Sequence, residues 1–494
     1  GSRYYHCFAD QKNSADYAYA FGVNEFVLCA SAYQPWIDKY PGSTAGGKHY
    51  CLNRNNTYWE YSRPFWDYQA RCSALMRKGV PVVDICVYLG QNPPVKLVTY
   101  RLPEIPEGFD VCTAEALVGR TMAVDGRLTL PTGISYSLLV IQRNNDMPLH
   151  VLRHIAGLVK GGVIVCGPRP DGSDSLKDKA ESEEYRALVD ELWGELTTVS
   201  QIRKVGKGKI YENIPLSEVL KYENIRPDIA IKSGNTAKDK VYFVHRRLSD
   251  ADVYFLNNHS DRAFHDTVRL RTDARQAEYW DAVTGQRYMI PVKASGEKGM
   301  LLNLTLAPRE SGFIVTSNNQ ATGLLPRIAD VQETITPIEG SWNVYFDPRW
   351  GGPGKVVFDE LIDWTVHADT GIRYYSGTAV YHKELNLAMP AQNERLLLRF
   401  PRLGSLARVW VNGKEVVTVW CSPWEADITS YVHEGKNNLK IEVVNSLMNR
   451  MIGDASLPES ERFTYAYPQI ATPTDKLVPS GIMEQLNLVY RQCQ

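Results

Sequence analysis

FVLCASAYQPWIDKYPG at residues 26–42, followed by CLNRNNTYWEYSRPFW at 51–66, sets out strand, loop and helix in that order. Phe26 to Cys29 is a short apolar run between Gly22 and Pro35, the pattern of a buried strand. Tyr33, Gln34, Trp36, Asp38 and Tyr40 then make an aromatic and polar loop that ends at Pro41-Gly42. From Thr57 to Lys78 the residues Trp59, Phe65, Tyr68, Cys72, Leu75 and Met76 recur at helical intervals, and Gly79 supplies a C-terminal stop. Strand, long loop and helix form one β/α unit, and in β/α barrels such loops build the active site.

The 494 residues suggest about three or four domains. A net charge of −1 argues against nucleic acid or an anionic membrane as the main partner. No apolar run reaches the roughly 18 residues a spanning helix needs. The nine cysteines stand singly, without C-x-x-C or zinc spacing. Cys29, Cys86 and Cys166 sit in apolar runs and read as small core residues.

Residues 1–78 hold a helix (Ser14–Phe21), the strand and the long helix, too little for a core of their own. They either dock on the domains C-terminal to them or end a larger domain whose front lies upstream; the second reading is preferred. Residues 79–235 alternate strands and helices. The VPVVDICVYL run reads as a central parallel strand, and SYSLLVIQ, the helix 148–160, Gly161-Gly162 and VIVCGPRP form a βαβ unit of an open parallel sheet. Helices are also expected at 180–196 and 215–225. Neither G-x-G-x-x-G nor a P-loop occurs, which argues against a nucleotide. Residues 236–320 turn into short alternating strands, a β-sandwich, with Asp281–Gly285 as a turn. Residues 321–494 form a second all-β unit, in which Asn412-Gly413 signals a type I′ hairpin. The fold class is thus multidomain α/β plus all-β.

SGTAVYHKELNL, LRFPRLGSLARVWVNGKEV and PWEADITSYVHEGKNNLKIEVVNS resemble the jelly-roll sugar-binding domain of family 2 glycoside hydrolases. NSLMNRMIGDASLPESERFTYA, together with the 22–79 front, resembles the family 106 α-L-rhamnosidases. The resemblance implies that residues 1–78 are the terminal strand and helix of a catalytic β/α barrel. It makes 79–235 a flavodoxin-like or amidotransferase-like domain and 321–494 the jelly roll. It further implies an inverting rhamnosidase acting on plant or pectic glycans, with oligo- or polysaccharide as partner, a periplasmic or extracellular location, and calcium as a possible cofactor. The catalytic carboxylates lie upstream in that family, so this chain alone is expected to be inactive, its missing partner being the barrel of its own protein. The alternatives are a non-catalytic carbohydrate-binding or scaffold protein and an inactive family member, because Cys29 and Tyr33 stand where the family tends to have histidines.

Under this resemblance Tyr33, Gln34, Trp36, Asn55 and Trp59 are the substrate-binding candidates. Gln34 would bind a hydroxyl. Trp36 either floors a sugar subsite or packs on the loop's own prolines. Asn53 or Asn55 either caps the helix or meets ligand. Asp38 is the weak catalytic candidate, ahead of Glu25 and Glu60. Trp342, Trp350, Trp364, Tyr374 and Tyr375 divide between core and binding. Asp347, Asp359 and Asp363 show no metal-loop spacing.

Overall fold

The structure, a computed structural model, describes all residues except 1–2, 30–31, 48–51, 91–107, 143–146, 174, 176–181, 197, 234–239, 297–298, 320–322, 328–331 and 493–494. Cys51, Cys493 and the start of the helix expected at 180 lie outside the described residues. The protein is a mixed, sheet-rich assembly of three layered bodies joined by two N-terminal helices.

The α/β body is a six-stranded sheet in the order Phe109–Cys112, Ile85–Tyr88, Leu138–Ile141, Ile164–Cys166, Gly208–Glu212, Gln201–Val205. All neighbours are parallel except the last pair. Its parallel strands run 2-1-3-4-5 in chain order, one of the common doubly wound orders. Helix Leu149–Lys160 buries Leu152, Ile155, Ala156 and Val159 against one face, as its spacing predicted. The helices expected at 180–196 and 215–225 occupy Ser182–Trp193 and Leu216–Tyr222.

The middle body packs two antiparallel sheets face to face. One runs Ile229–Ile231, Phe264–Leu270, Met300–Leu306, Val292–Ala294. The other runs Arg287–Ile290, Gln276–Trp280, Ser311–Ser317, Ala251–Asn258, Val241–Arg247, Val80–Pro81. The sandwich therefore takes strands from both sides of residue 235. The VPVVDICVYL run is split: Val80–Pro81 pairs with Arg246–Arg247, and Ile85–Tyr88 enters the parallel sheet.

The C-terminal body is a second two-sheet sandwich around Trp342, Phe346, Trp364, Tyr375 and Tyr381. Asn412 and Gly413 have φ of 51° and 78°, both in the left-handed region the hairpin signature requires.

Helices Phe8–Ala20 and Arg63–Met76 share one core with both sandwiches, in which Phe8, Tyr19, Phe65 and Tyr68 meet Phe255, Phe313 and Trp420. Residues 1–78 thus dock on the middle and C-terminal bodies. The first helix begins earlier than the sequence suggested. The second starts later: Trp59–Tyr61 is a separate 3-10 turn, and Arg63-Pro64 opens the α-helix, where proline is tolerated at the first turn. Gly79, at φ +63°, ends it against the Arg247 carbonyl, where a side chain would collide.

The strand expected at Phe26–Cys29 does not form. Residues 23–29 have no regular structure; Val27 is 95% exposed and Cys29 is exposed, not a core residue. A strand needs a neighbour to satisfy its backbone, and none of the described strands lies alongside.

A buried polar network fixes the α/β body to the middle sandwich. Arg271 bridges Asp84 and Asp228, each at 2.6 Å. His245, fully buried, faces Asp228 through Nδ1 at 3.2 Å and Asp252 through Nε2 at 3.0 Å. Carboxylates only accept, so both ring nitrogens carry protons and the imidazole is a cation. Burial alone would lower the His245 pKa, but the two aspartates hold it above its ordinary value. Burial would likewise raise Asp252, yet its bonds to His245 and Thr272 bring it down to about 2. By linkage, His245 stabilises fully below its ordinary pKa of about 6.5, and loses that contribution as pH rises through the higher folded value. Asp252 contributes above its ordinary value and loses it as pH falls toward 2. Comparison of wild type with His245→Gln by thermal unfolding is expected to give the largest gap in midpoint near pH 6, narrowing steadily toward alkaline pH. A gap that does not change with pH contradicts the imidazolium assignment.

Candidate functional site

The described residues 32–47 and 52–57 form loop segments held together by their own side chains. Gln34, 9% exposed, accepts at Oε1 from Ser43 N (2.9 Å) and donates from Nε2 to Ser43 O (2.7 Å). The amide thus replaces a neighbouring strand's two-way pairing. Asn55, fully buried, donates from Nδ2 to Lys39 O at 2.9 Å, and Arg54 donates to Gln34 O at 3.2 Å. Gln34 is therefore a brace of the loop, with both amide atoms engaged inside the chain. Asn53 and Asn55 do not cap the helix: its N-cap is Ser62, and Asn53 Oδ1 accepts from Asn55 N.

The loop is seated on the chain's far end. Pro41–Ser43 pairs in parallel with Tyr465–Tyr467, and Thr44 Oγ1 donates to Pro468 O at 2.7 Å. Thr57 Oγ1 donates to Asn445 O. The tail is in turn set by helix Met448–Asp454, which buries Asn449, Arg450 and Asp454. Arg450 Nε donates to Asp454 Oδ1 at 2.9 Å, and Asp454 Oδ2 accepts from Thr464 N and Oγ1 at 2.7 and 2.6 Å. Asn449 braces Val478 through both its amide atoms.

On this scaffold stand the aromatic side chains. Half-buried Trp36 meets Tyr465 edge-on, with centroids 5.0 Å apart. The Lys39 ammonium sits 4.2 Å from the Tyr465 centroid and 5.5 Å from that of Trp36. Tyr40 meets Trp350 edge-on at 5.5 Å. Tyr33 is 83% exposed and Tyr467 65% exposed, while Trp59 is half-buried in the 3-10 turn. Trp36 thus packs on Tyr465 and Lys39. Asp38 is exposed on the loop. Glu25 is tied to Arg77 at 3.3 Å, and Glu60 is exposed with its carbonyl held by Arg408.

Trp342, Trp364 and Tyr375 are core residues; Trp350 and Tyr374 instead reach the tail, Tyr374 lying beside Arg450. Asp347 and Asp363 cap local turns, and among the described residues no three His, Cys, Asp or Glu side chains gather as a metal group. Lys39, Tyr465 and Tyr467 stand beside the sequence candidates and were not singled out, because their contact joins residues far apart in the chain.

Residues 1–293 match the family model of glycoside hydrolase 106, alpha-L-rhamnosidase, and residues 329–490 match the sugar-binding domain of glycosyl hydrolases family 2. A putative beta-glucuronidase of Formosa agariphila is 23% identical, over 91% of this chain and 57% of that protein. The rhamnosidase structure from Novosphingobium sp. PP1Y superposes with a TM-score of 0.87 at 28% identity, over 99% of this chain and 46% of that one. The chain spans about half the length of these relatives.

Two substitutions test the scaffold. Gln34→Ala should speed hydrogen exchange at the Ser43 amide by opening the loop, costing roughly 1–3 kcal/mol locally, with little change in global unfolding. Asp454→Ala strands a buried guanidinium, and should lower global stability by roughly 3–5 kcal/mol in denaturant unfolding. If exchange at Ser43 is unchanged in the first variant, Gln34 is free for ligand.

Proposed function

The chain belongs to the glycoside hydrolase family 106 α-L-rhamnosidases, and from this we propose that it is the C-terminal part of an inverting α-L-rhamnosidase acting on plant or pectic glycans outside the cytoplasm. The observation that carries the reading is the exposed apolar strip at the loop. Val27 at 95%, Ile37 at 80% and Phe21 at 64% exposure accompany Tyr33 along residues 21–37. Single exposed apolar residues are ordinary, but a run of them with no ladder is a seat for another surface. In this reading residues 22–47 complete a β/α barrel supplied by an upstream segment, and the 79–235 and 321–494 bodies are its amidotransferase-like and jelly-roll companions.

The chemistry then divides between the two parts. Inversion requires one carboxylic acid to protonate the leaving oxygen and a second carboxylate to activate water, roughly 6.5–9.5 Å apart. Asp38 is the carboxylate this loop presents, and the pair belongs to the upstream barrel. Trp36, Tyr33 and Tyr465 offer ring faces and edges to the C–H surface of the sugar, and Lys39 offers a donor to its hydroxyls. A second reading, an inactive family member, is favoured by Cys29 and Tyr33 alone.

Hydrolysis of an aryl α-L-rhamnoside should be absent from this chain and present in the longer natural protein, with β-rhamnose as first product by NMR. Turnover by the chain alone would overturn the division of labour. Silence in both, relieved by Tyr33→His in the longer protein, would select the inactive-member reading.

A further inference from the structure

A cleft of about 680 Å³ opens where the α/β body meets the middle sandwich. Domain junctions are favoured places for ligand pockets, and this volume suits a small oligosaccharide. Its described lining contains five arginines and four aspartates, with no lysine, glutamate or aromatic ring. Such a wall suits a strongly hydrated ligand with many oxygens better than an apolar one.

The floor is already assembled. Asp84, 6% exposed, accepts from Arg271 at 2.6 Å and from Ser137 Oγ at 2.6 Å, and pairs with Arg127 at 3.3 Å. Asp252 accepts from His245, from Thr272 at 2.8 Å and from Arg247 Nε at 3.1 Å. Asp84 and Asp252 therefore need no cation from a ligand. Behind the wall the imidazolium of His245 adds one positive charge and Asp228 one negative, so the cleft keeps an excess of one positive charge. Arg247, its side chain 58% exposed, lines the cleft and engages Asp252 through Nε at 3.1 Å. Guanidinium forks match a carboxylate bidentately, which lysine cannot do. Ser249, Ser317 and Asn318 also line the cleft; Ser249 donates to Asp250, Ser317 to Asn319 O, and Asn318 Oδ1 accepts from Arg275 N, which leaves hydroxyl lone pairs and the Asn318 amide nitrogen for a ligand.

We propose that this cleft is an accessory site for an oligosaccharide carrying one carboxylate, a uronate-bearing chain, with Arg247 as its anchor. The proposal rests on the glycosidase reading for its ligand class, and the site is separate from the Trp36–Tyr465 loop. A bound uronate would neutralise the cleft while its hydroxyls meet the serine and asparagine groups.

The test is calorimetric titration of the chain with digalacturonic acid, its neutral methyl ester and inorganic sulfate. The expected result is binding of the acid in preference to both others. Arg247→Gln should weaken it at least about tenfold, and Asp250→Asn, which removes an exposed rim carboxylate, should strengthen it about twofold. Equal binding of the ester overturns the carboxylate role, equal binding of sulfate shows an anion site without sugar recognition and overturns the uronate assignment, and no binding overturns the proposal. Because titration needs no turnover, loss of the rhamnosidase reading in the hydrolysis assay leaves this outcome distinct.

Discussion

A single buried ion pair ties the N-terminal helices to the sandwiches they join. Lys12 and Asp16 lie on the first helix, both essentially without solvent, with Nζ and Oδ2 2.7 Å apart. Lys12 also donates to Ser311 Oγ at 2.8 Å, and Tyr68 of the second helix donates to Asp16. An isolated charge at that depth would be prohibitive; a pair whose remaining protons and lone pairs are met is tolerated, and removing one partner is what destabilises. The pair therefore fixes how both helices lie on the middle sandwich. The second helix also sets Phe65 and Tyr68 against Trp420 of the C-terminal sandwich, with ring centroids 5.8 Å apart in each case. That placement puts the loop segment around Thr44 beside a tail more than 400 residues away in sequence.

The strand-rich bodies were legible because their signals are local. Alternation of apolar and polar residues needs only the chain itself, as in Met300–Leu306, where the buried residues are Met300, Leu302, Leu304 and Leu306. The doubly wound sheet was readable from short apolar runs separated by a helical pattern and glycines. Phe26–Cys29 failed for the reason the others succeeded. Apolar pattern reports a tendency toward burial and says nothing about whether a partner strand is present. The split of VPVVDICVYL between two sheets was equally hidden, since either half satisfies the same pattern.

The loop's aromatic and polar residues were legible in the sequence, and their contacts were not. Gln34 and Asn55 have the same donors and acceptors whether they meet a sugar hydroxyl or a backbone amide. Only the fold decides, and here it gives them the loop's own carbonyls and Ser43. Tyr465 and Lys39 escaped notice because their significance is a contact across the whole chain. Helix Met448–Asp454 carries its message in burial: Asn449 is 1% exposed, Arg450 5% and Asp454 1%. Sequence alone offers no way to distinguish these from solvated polar residues.

That buried polarity has a consequence for what the loop can do. Apolar contacts are nondirectional and let a ring slide over its neighbour at little cost. Hydrogen bonds to buried carboxylates and amides are directional, and each missing one costs a desolvated group. Asp454 fixes Thr464, Thr464 fixes the position of Tyr465 next to it, and the Tyr465 backbone meets Tyr40 O at 2.8 Å while its ring meets Trp36 and Lys39. The rings of Trp36 and Tyr465 thus inherit their orientation from a buried polar helix that stands behind them. A pyranose ring has an apolar face only where its C–H bonds align, so stacking on it demands rings held at a set angle. Under the proposed sugar-binding role, a scaffold of buried polar braces would meet that demand, where an all-apolar support of equal stability would leave the angle free.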